Sequence, residues 1–192
     1  MEVIEAIKSR RSVRAWTEEE VGDEMLAQIL EAGRWSPSPL DSQPWHLVVV
    51  KKPETIQTLA QTAKEGGFMR SAKVCIVVST EKQVMTEQEV QNQERKELIV
   101  WLAEHNQYEY AAAAALQDMW LAAWSLGIGA CWVTMDRETT YLTLEIPREQ
   151  VVIGSLALGH IRGSPVPHNE ENRKPIGEMV FWEKYGVREK QS

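Results

Sequence analysis

The segment Tyr110–Leu126 limits what this chain can fold into more than any other. It holds five consecutive alanines and is apolar nearly all round. A helix with that pattern has no face suited to water, so it is buried on most sides. Its alanines permit close helix–helix approach, and Gly127 is placed to end it. The rest of the chain must wrap around this helix, and its composition allows that. Hydrophobic residues make up 43% of the 192 residues and charged residues 26%. That is ordinary for a soluble globular protein and too apolar for a disordered one. The length fits one domain.

Along the chain, Val3, Ile4 and Ile7 share one face at helical spacing, which predicts a first helix over residues 2–9. Asp23 is the expected cap of a second helix, whose apolar face is Leu26, Ile29, Leu30 and Gly33. WSPSPLDSQPW (35–45) holds three prolines, so it is a stiff loop rather than a helix or central strand. His46–Val50 is a predicted strand. Pro53 is suited to the first position of a helix running to about Lys64, broken by Gly66 and Gly67. Lys73–Ser79, Ile128–Val133 and Val151–Leu158 are further predicted strands, with a short helix over Glu138–Leu144. Residues 81–108 are polar and are expected to form one or two surface or lid helices. Met179–Tyr185 is a candidate last strand or arm. Strands alternating with helices imply α+β or α/β architecture with one sheet.

The net charge of −7 disfavours nucleic acid and anionic membranes as partners. Against that background Lys8, Arg10, Arg11 and Arg14 form a compact basic spot, better matched to a small anion than to a polymer. Cys75 and Cys131 sit in apolar runs without metal spacing and are expected to be buried and reduced. His46, His105, His160 and His168 are scattered, so no metal site is expected. The first twelve residues are charged and lack an apolar signal-peptide core, and no apolar run approaches the ~18 residues that span a bilayer. The expected location is the cytoplasm. There are eight tryptophans against two phenylalanines. Most are expected to fill the core, although Trp also suits interfaces and the walls of aromatic-ligand sites.

Four constellations carry possible chemistry. In Arg10-Arg11-Ser12-Val13-Arg14, guanidinium forks and a hydroxyl suit a phosphate monoester; arginines at a helix end also answer to the helix dipole. In the loop Ser36–Trp45, short donors and one amide on a rigid backbone can approach a flat heteroaromatic ring, although such a string is also simply turn-rich. Gly127-Ile128-Gly129-Ala130-Cys131-Trp132-Val133-Thr134-Met135 begins like a dinucleotide fingerprint. It lacks the third glycine, however, and follows a helix instead of a strand, so it is not a Rossmann loop. Asn172-Arg173-Lys174-Pro175 is a second basic arm or a solvated turn.

Together, in this order, these motifs resemble the nitroreductase family of flavoproteins over nearly the whole chain: RRSVR, the PS-x-x-[ND]-x-QPW loop, the alanine-rich helix running into GIGACW, and a late RKP. The resemblance implies a single FMN-binding domain over residues 1–192 with a C-terminal arm from about 165 to 192. It implies an α+β fold in which helices wrap a mixed, mostly antiparallel sheet and two chains intertwine as a homodimer, with the alanine-rich helix in the dimer core. Arg10, Ser12 and Arg173 would grip the FMN phosphate. Arg11 would lie beside the polar side of the flavin, and Arg14 would point to its pyrimidine edge. Pro37, Ser38 and Pro39 would line the flavin from the opposite subunit, with Asp41 and Gln43 nearby. Trp132 and Val133 would back the ring, and a main-chain N–H near Thr134 would reach N5. The implied activity is an oxidoreductase that passes hydride from NAD(P)H through flavin N5 to a nitroaromatic, quinone or similar electron-poor acceptor in ping-pong order. The cofactor carries that chemistry, so no catalytic acid or base is expected.

Two positions depart from the family pattern. Asp41 stands where Asn is usual, and a nearby carboxylate would lower the flavin potential or bind a proton. Met135 stands where small residues are common and is expected to narrow the substrate side. Lys64 is a candidate for a further basic contact. These departures leave open an FMN-binding redox sensor, or a specialised member that performs flavin fragmentation or reductive dehalogenation.

Overall fold

The structure, a computed structural model, describes residues 1–63, 66–82, 84–85 and 91–188. Its helices are α1 (Val3–Ser9), α2 (Asp23–Arg34), α3 (Pro53–Thr62), α4 (Gln93–Glu104), α5 (Gln107–Ser125), α6 (Arg137–Leu144) and α7 (Ile176–Met179). Its strands are β1 (Trp45–Val50), β2 (Val74–Thr80), β3 (Ile128–Val133) and β4 (Val151–His160).

The alanine-rich segment is the core of α5. Ala111, Ala112, Ala115, Leu116, Met119, Trp120 and Ala123 are buried on it. The helix ends where the Leu126 N–H returns to the Ala122 carbonyl and Gly127 turns to φ 78°, a left-handed conformation that glycine adopts without penalty. α2 packs against α5 at Gly33, where a Cβ would stand 2.8 Å from Met119 Cγ. The close approach therefore depends on the glycine.

Among the described residues the sheet has the order β1-β2-β4-β3, and every strand pair is antiparallel. Every residue of β2 is buried, which is why it reads as a continuous apolar run. Side chains alternate across a strand. Val74, Ile76 and Val78 join α2 and α5 in one apolar cluster, while Cys75 and Val77 face α3 and Trp16 in another. The sheet thus has a covered layer on each face. A register shift at Val78/Ser79 lies opposite Gly154, where a Cβ would meet the Trp132 indole nitrogen at 2.6 Å. Bulge and glycine together leave room for that ring.

The α+β expectation and the antiparallel sheet hold, and several details differ. Among the described residues the sheet has no parallel strand pair, and the parallel contact is the isolated bridge between Ser12 and Ala130. Gly22, not Asp23, occupies the cap of α2, and Asp23 instead pairs with Lys51 at 2.5 Å. α3 ends at Thr62, and Lys64 lies outside the described residues. In 81–108, α4 is a surface helix of the kind expected there, joined to α5 through Asn106 in the left-handed region. Met179–Tyr185 is not a strand: α7 ends at Met179 and bends follow. Five of the eight tryptophans, Trp16, Trp45, Trp120, Trp124 and Trp132, lie in or pack against the core, as expected of most of them. Trp16 and Trp120 are buried, while Trp35, Trp101 and Trp182 are exposed and the other three are half-buried. No described helix is long and apolar enough to cross a membrane.

Gly159 faces Trp16, with Trp16 Cγ 2.9 Å from where a Cβ would stand, and Trp16 is fixed by donating to the Gly129 carbonyl at 2.8 Å. Gly159→Ala is expected to destabilise the fold by about 1–3 kcal/mol through overpacking, read as a lowered urea midpoint. Burial pushes the Cys75 thiol from its ordinary 9.0 up to about 12, and it also raises that of Cys131. An unfolded chain releases these protons near pH 9 while the folded one retains them. Stability contributed by the neutral thiols is therefore present below pH 9 and falls as pH climbs towards 12. Thiol titration at pH 8 should find both cysteines unreactive until denaturant is added.

Candidate anion-binding site

The basic motif is the strap that leaves α1 and runs beside β3. Arg10 closes the helix with its N–H on the Ala6 carbonyl, and Val13 pairs with Ala130 at 2.9 Å. The extended backbone sorts the side chains: Val13 and Trp16 turn inward, while Ser12 and Arg14 stay exposed. Arg10 is half-buried, and its guanidinium carbon lies 4.0 Å over the centre of the Trp120 ring. Arg14 sits 5.5 Å from the centre of the Phe68 ring.

Arg11 behaves differently from its neighbours. Its guanidinium donates to the carbonyls of Lys8, Ser9, Arg10 and Val166. That satisfies the Lys8 and Ser9 carbonyls at the end of α1 and ties the tail to the strap. These bonds use Nε and Nη1 and fix the side chain at the junction of strap and tail.

The tail returns to Arg10 through a residue not singled out in the sequence. His168 Nε2 lies 3.0 Å from the Arg10 carbonyl, and Arg173 reaches the same ring at 3.4–3.5 Å. If Nε2 donates to that carbonyl, Nδ1 is left as the acceptor facing Arg173. Lys8, Arg10, His168, Arg173 and Lys174 line a cavity of about 580 Å³ together with Ile7 and Pro175. No carboxylate lines it, and among the described residues none pairs with these cations. Burial, then the nearby Arg173 and Arg11, hold the Arg10 guanidinium below its ordinary value. Concentrated positive charge without a counter-charge is electrostatically unfavourable, and a bound anion relieves it.

The proline-rich loop is strained. Leu40, Asp41 and Gln43 have φ of 56°, 52° and 46°, a region non-glycine residues seldom occupy. Gln43 N–H donates to Ser38 Oγ at 2.9 Å, and its amide reaches Asp41 at 3.3 Å. Ser36 donates to Asp118 of α5 at 2.5 Å. Strain held this way clusters at ligand sites. Asp118 and Trp120 are two residues apart, about 200° around the helix. The loop and the Arg10 strap are therefore anchored on opposite flanks of α5. Within one chain the structure joins Arg10 with Arg173 and keeps Pro37, Ser38, Pro39, Asp41 and Gln43 apart from them.

Ser12 sits at the Ala130 level of β3; Trp132 and Val133 follow within about 10 Å of strand, and Thr134 lies just past its end. Val133 is buried, Trp132 half-buried and Thr134 exposed. Met135 does not narrow an open side: it is buried, and Ser155 donates to its sulfur at 3.2 Å. Its long, soft side chain fills the core instead. Among the described residues no group of three His, Cys, Asp or Glu side chains is placed to hold a metal ion.

Residues 7–160 match the model of the nitroreductase family. A provisionally named NADH dehydrogenase/NAD(P)H nitroreductase of Methanothermobacter thermautotrophicus is 30% identical over 170 residues, covering 86% of this chain and 80% of the relative. An FMN reductase [NAD(P)H] of Bacillus subtilis is 25% identical over 178 residues, covering 91% of this chain and 69% of that protein. A provisionally named nitroreductase from Desulfovibrio desulfuricans, solved in complex with FMN, has a TM-score of 0.74 and 29% identity, with 96% of this chain and 98% of that one covered.

Proposed function

This chain belongs to the nitroreductase family, and on that premise we propose that it is an NAD(P)H-dependent FMN oxidoreductase acting as a homodimer. The observation that carries the reading is the cavity beneath Arg10, where Lys8, Arg173 and Lys174 gather without a carboxylate. A phosphate monoester fits that donor set: guanidinium groups offer paired N–H donors, and the ammonium groups add point charge. FMN would supply there the chemistry of hydride transfer from NAD(P)H to a nitroaromatic, quinone or similar electron-poor acceptor, in ping-pong order.

The chain's own residues bind and orient. Arg10, Arg173 and Ser12 hold the phosphate, and Arg11 contributes by fixing the strap and the tail on which they depend. Arg14, exposed beside Phe68, serves the polar edge of the flavin. Trp132 and Val133 form the backing wall, and the main chain at Thr134 offers an N–H donor at the mouth of β3. Pro37, Ser38, Pro39, Asp41 and Gln43 complete the site from a second copy. Their anchoring on the far flank of α5 supports that division of labour. So do the apolar surfaces left open on one chain: Val3, Ile4 and Ile7 on α1, and Ile176, Met179 and Trp182 in the arm from about residue 165, are all exposed. A second copy covering them buries what a single chain leaves in water.

The test is the visible absorption spectrum of the purified protein, followed anaerobically after addition of NADH and then NADPH. A yellow protein that bleaches with either donor supports the reductase reading and identifies the donor. Yellow protein that fails to bleach favours a sensor or a specialised reaction instead. Colourless protein that takes up no added FMN overturns the flavoprotein reading. Separately, Arg10→Ala is expected to weaken FMN retention by about 1.5–3 kcal/mol, the range for hydrogen bonds to charged groups, as measured by flavin titration.

A further inference from the structure

Arg10 sits where an arginine has little reason to stay. It is half-buried, crowded by Arg173 and Arg11, and has no carboxylate partner among the described residues. A long side chain in that position gains by swinging out to water. What holds it is one face of α5. Trp124 donates its indole N–H to Ser9 Oγ at 2.8 Å and so pins the last turn of α1. Trp120, one turn earlier on the same face, lies flat beneath the Arg10 guanidinium at 4.0 Å.

Trp120 is a costly residue for that position. It is buried, and its indole N–H has no acceptor among the described residues. Leucine would fill apolar space without leaving a buried donor unpaired. What tryptophan adds is the broadest and most electron-rich ring face available to a cation. We propose that Trp120 is a positioning residue for the anion site, its indole face holding the Arg10 guanidinium aimed into the cavity it shares with Arg173. This rests on the reading that the cavity takes the FMN phosphate. Trp120 acts through Arg10 and touches no ligand itself.

The experiment compares dissociation constants for FMN and for riboflavin, which lacks the phosphate, by flavin fluorescence titration of the full chain. The set is the unchanged protein, Trp120→Leu, Trp120→Phe, Arg10→Ala and the Trp120→Leu/Arg10→Ala double variant. Trp120→Leu is expected to weaken FMN by roughly five- to thirtyfold with riboflavin little changed. Trp120→Phe keeps a ring with a weaker face and should lose less, about two- to fivefold. In the Arg10→Ala background Trp120→Leu should cost nothing more, since there is no guanidinium left to position. Equal weakening of both flavins, an unchanged FMN-to-riboflavin ratio, or additive losses in the double variant would each overturn the proposal. Should Trp120→Leu fail to fold, the ratio in Trp120→Phe decides alone: a drop of about twofold or more supports the proposal, and no drop overturns it. If the unchanged protein binds both flavins equally, the phosphate-site reading itself fails, before any variant is considered.

Discussion

Helix α5 presents almost no surface that water would accept, and the rest of the molecule is arranged to meet that demand. It lies on the sheet, touching all four strands, with α1, α2 and α4 against its other sides. Every one of those neighbours has to come close, which is why the helix is built from alanine and why α2 offers Gly33 at the crossing. Removing apolar surface from water favours this arrangement at roughly 25 cal/mol per Å². The interior is close-packed, so the neighbours have little freedom to shift.

The same helix also organises the site. Asp118, Trp120 and Trp124 are the places where its packed surface meets functional segments. Asp118 holds the strained proline loop through Ser36, and the two indoles hold the end of α1 and Arg10. A rigid buried helix is a good base for such anchors because its side chains have few alternative rotamers. The two functional segments stand on opposite flanks of α5, the arrangement on which the proposed second copy rests.

Some of this was legible in the order of residues. Apolar periodicity marked α1 and α2, an alanine run apolar nearly all round marked α5, and Pro53 marked the start of α3, because these signals are local and follow from helix geometry. β2 was visible as an uninterrupted apolar run. The basic strap and the RKP segment were visible as chemistry: clustered guanidinium groups in an acidic chain already point to a small anion. Other features were not legible. Arg11 has the same composition signal as Arg10 yet caps a helix. His168 stands in a turn-rich tail with no pattern of its own, and Met135 turns inward instead of facing a ligand.

By itself, then, the sequence determined the elements, the covered sheet and the family of motifs, since each depends on residues near one another in the chain. Tertiary structure decided which arginine is spent on main-chain carbonyls and which is left facing a cavity, that the proline loop and the strap lie on opposite sides of α5, and that Trp120 sits under Arg10. Those outcomes turn on contacts between residues such as Arg11 and Val166, or Arg10 and Trp120, that lie more than a hundred positions apart. Such pairings depend on how α1, α5 and the tail pack in three dimensions, and no local periodicity encodes that.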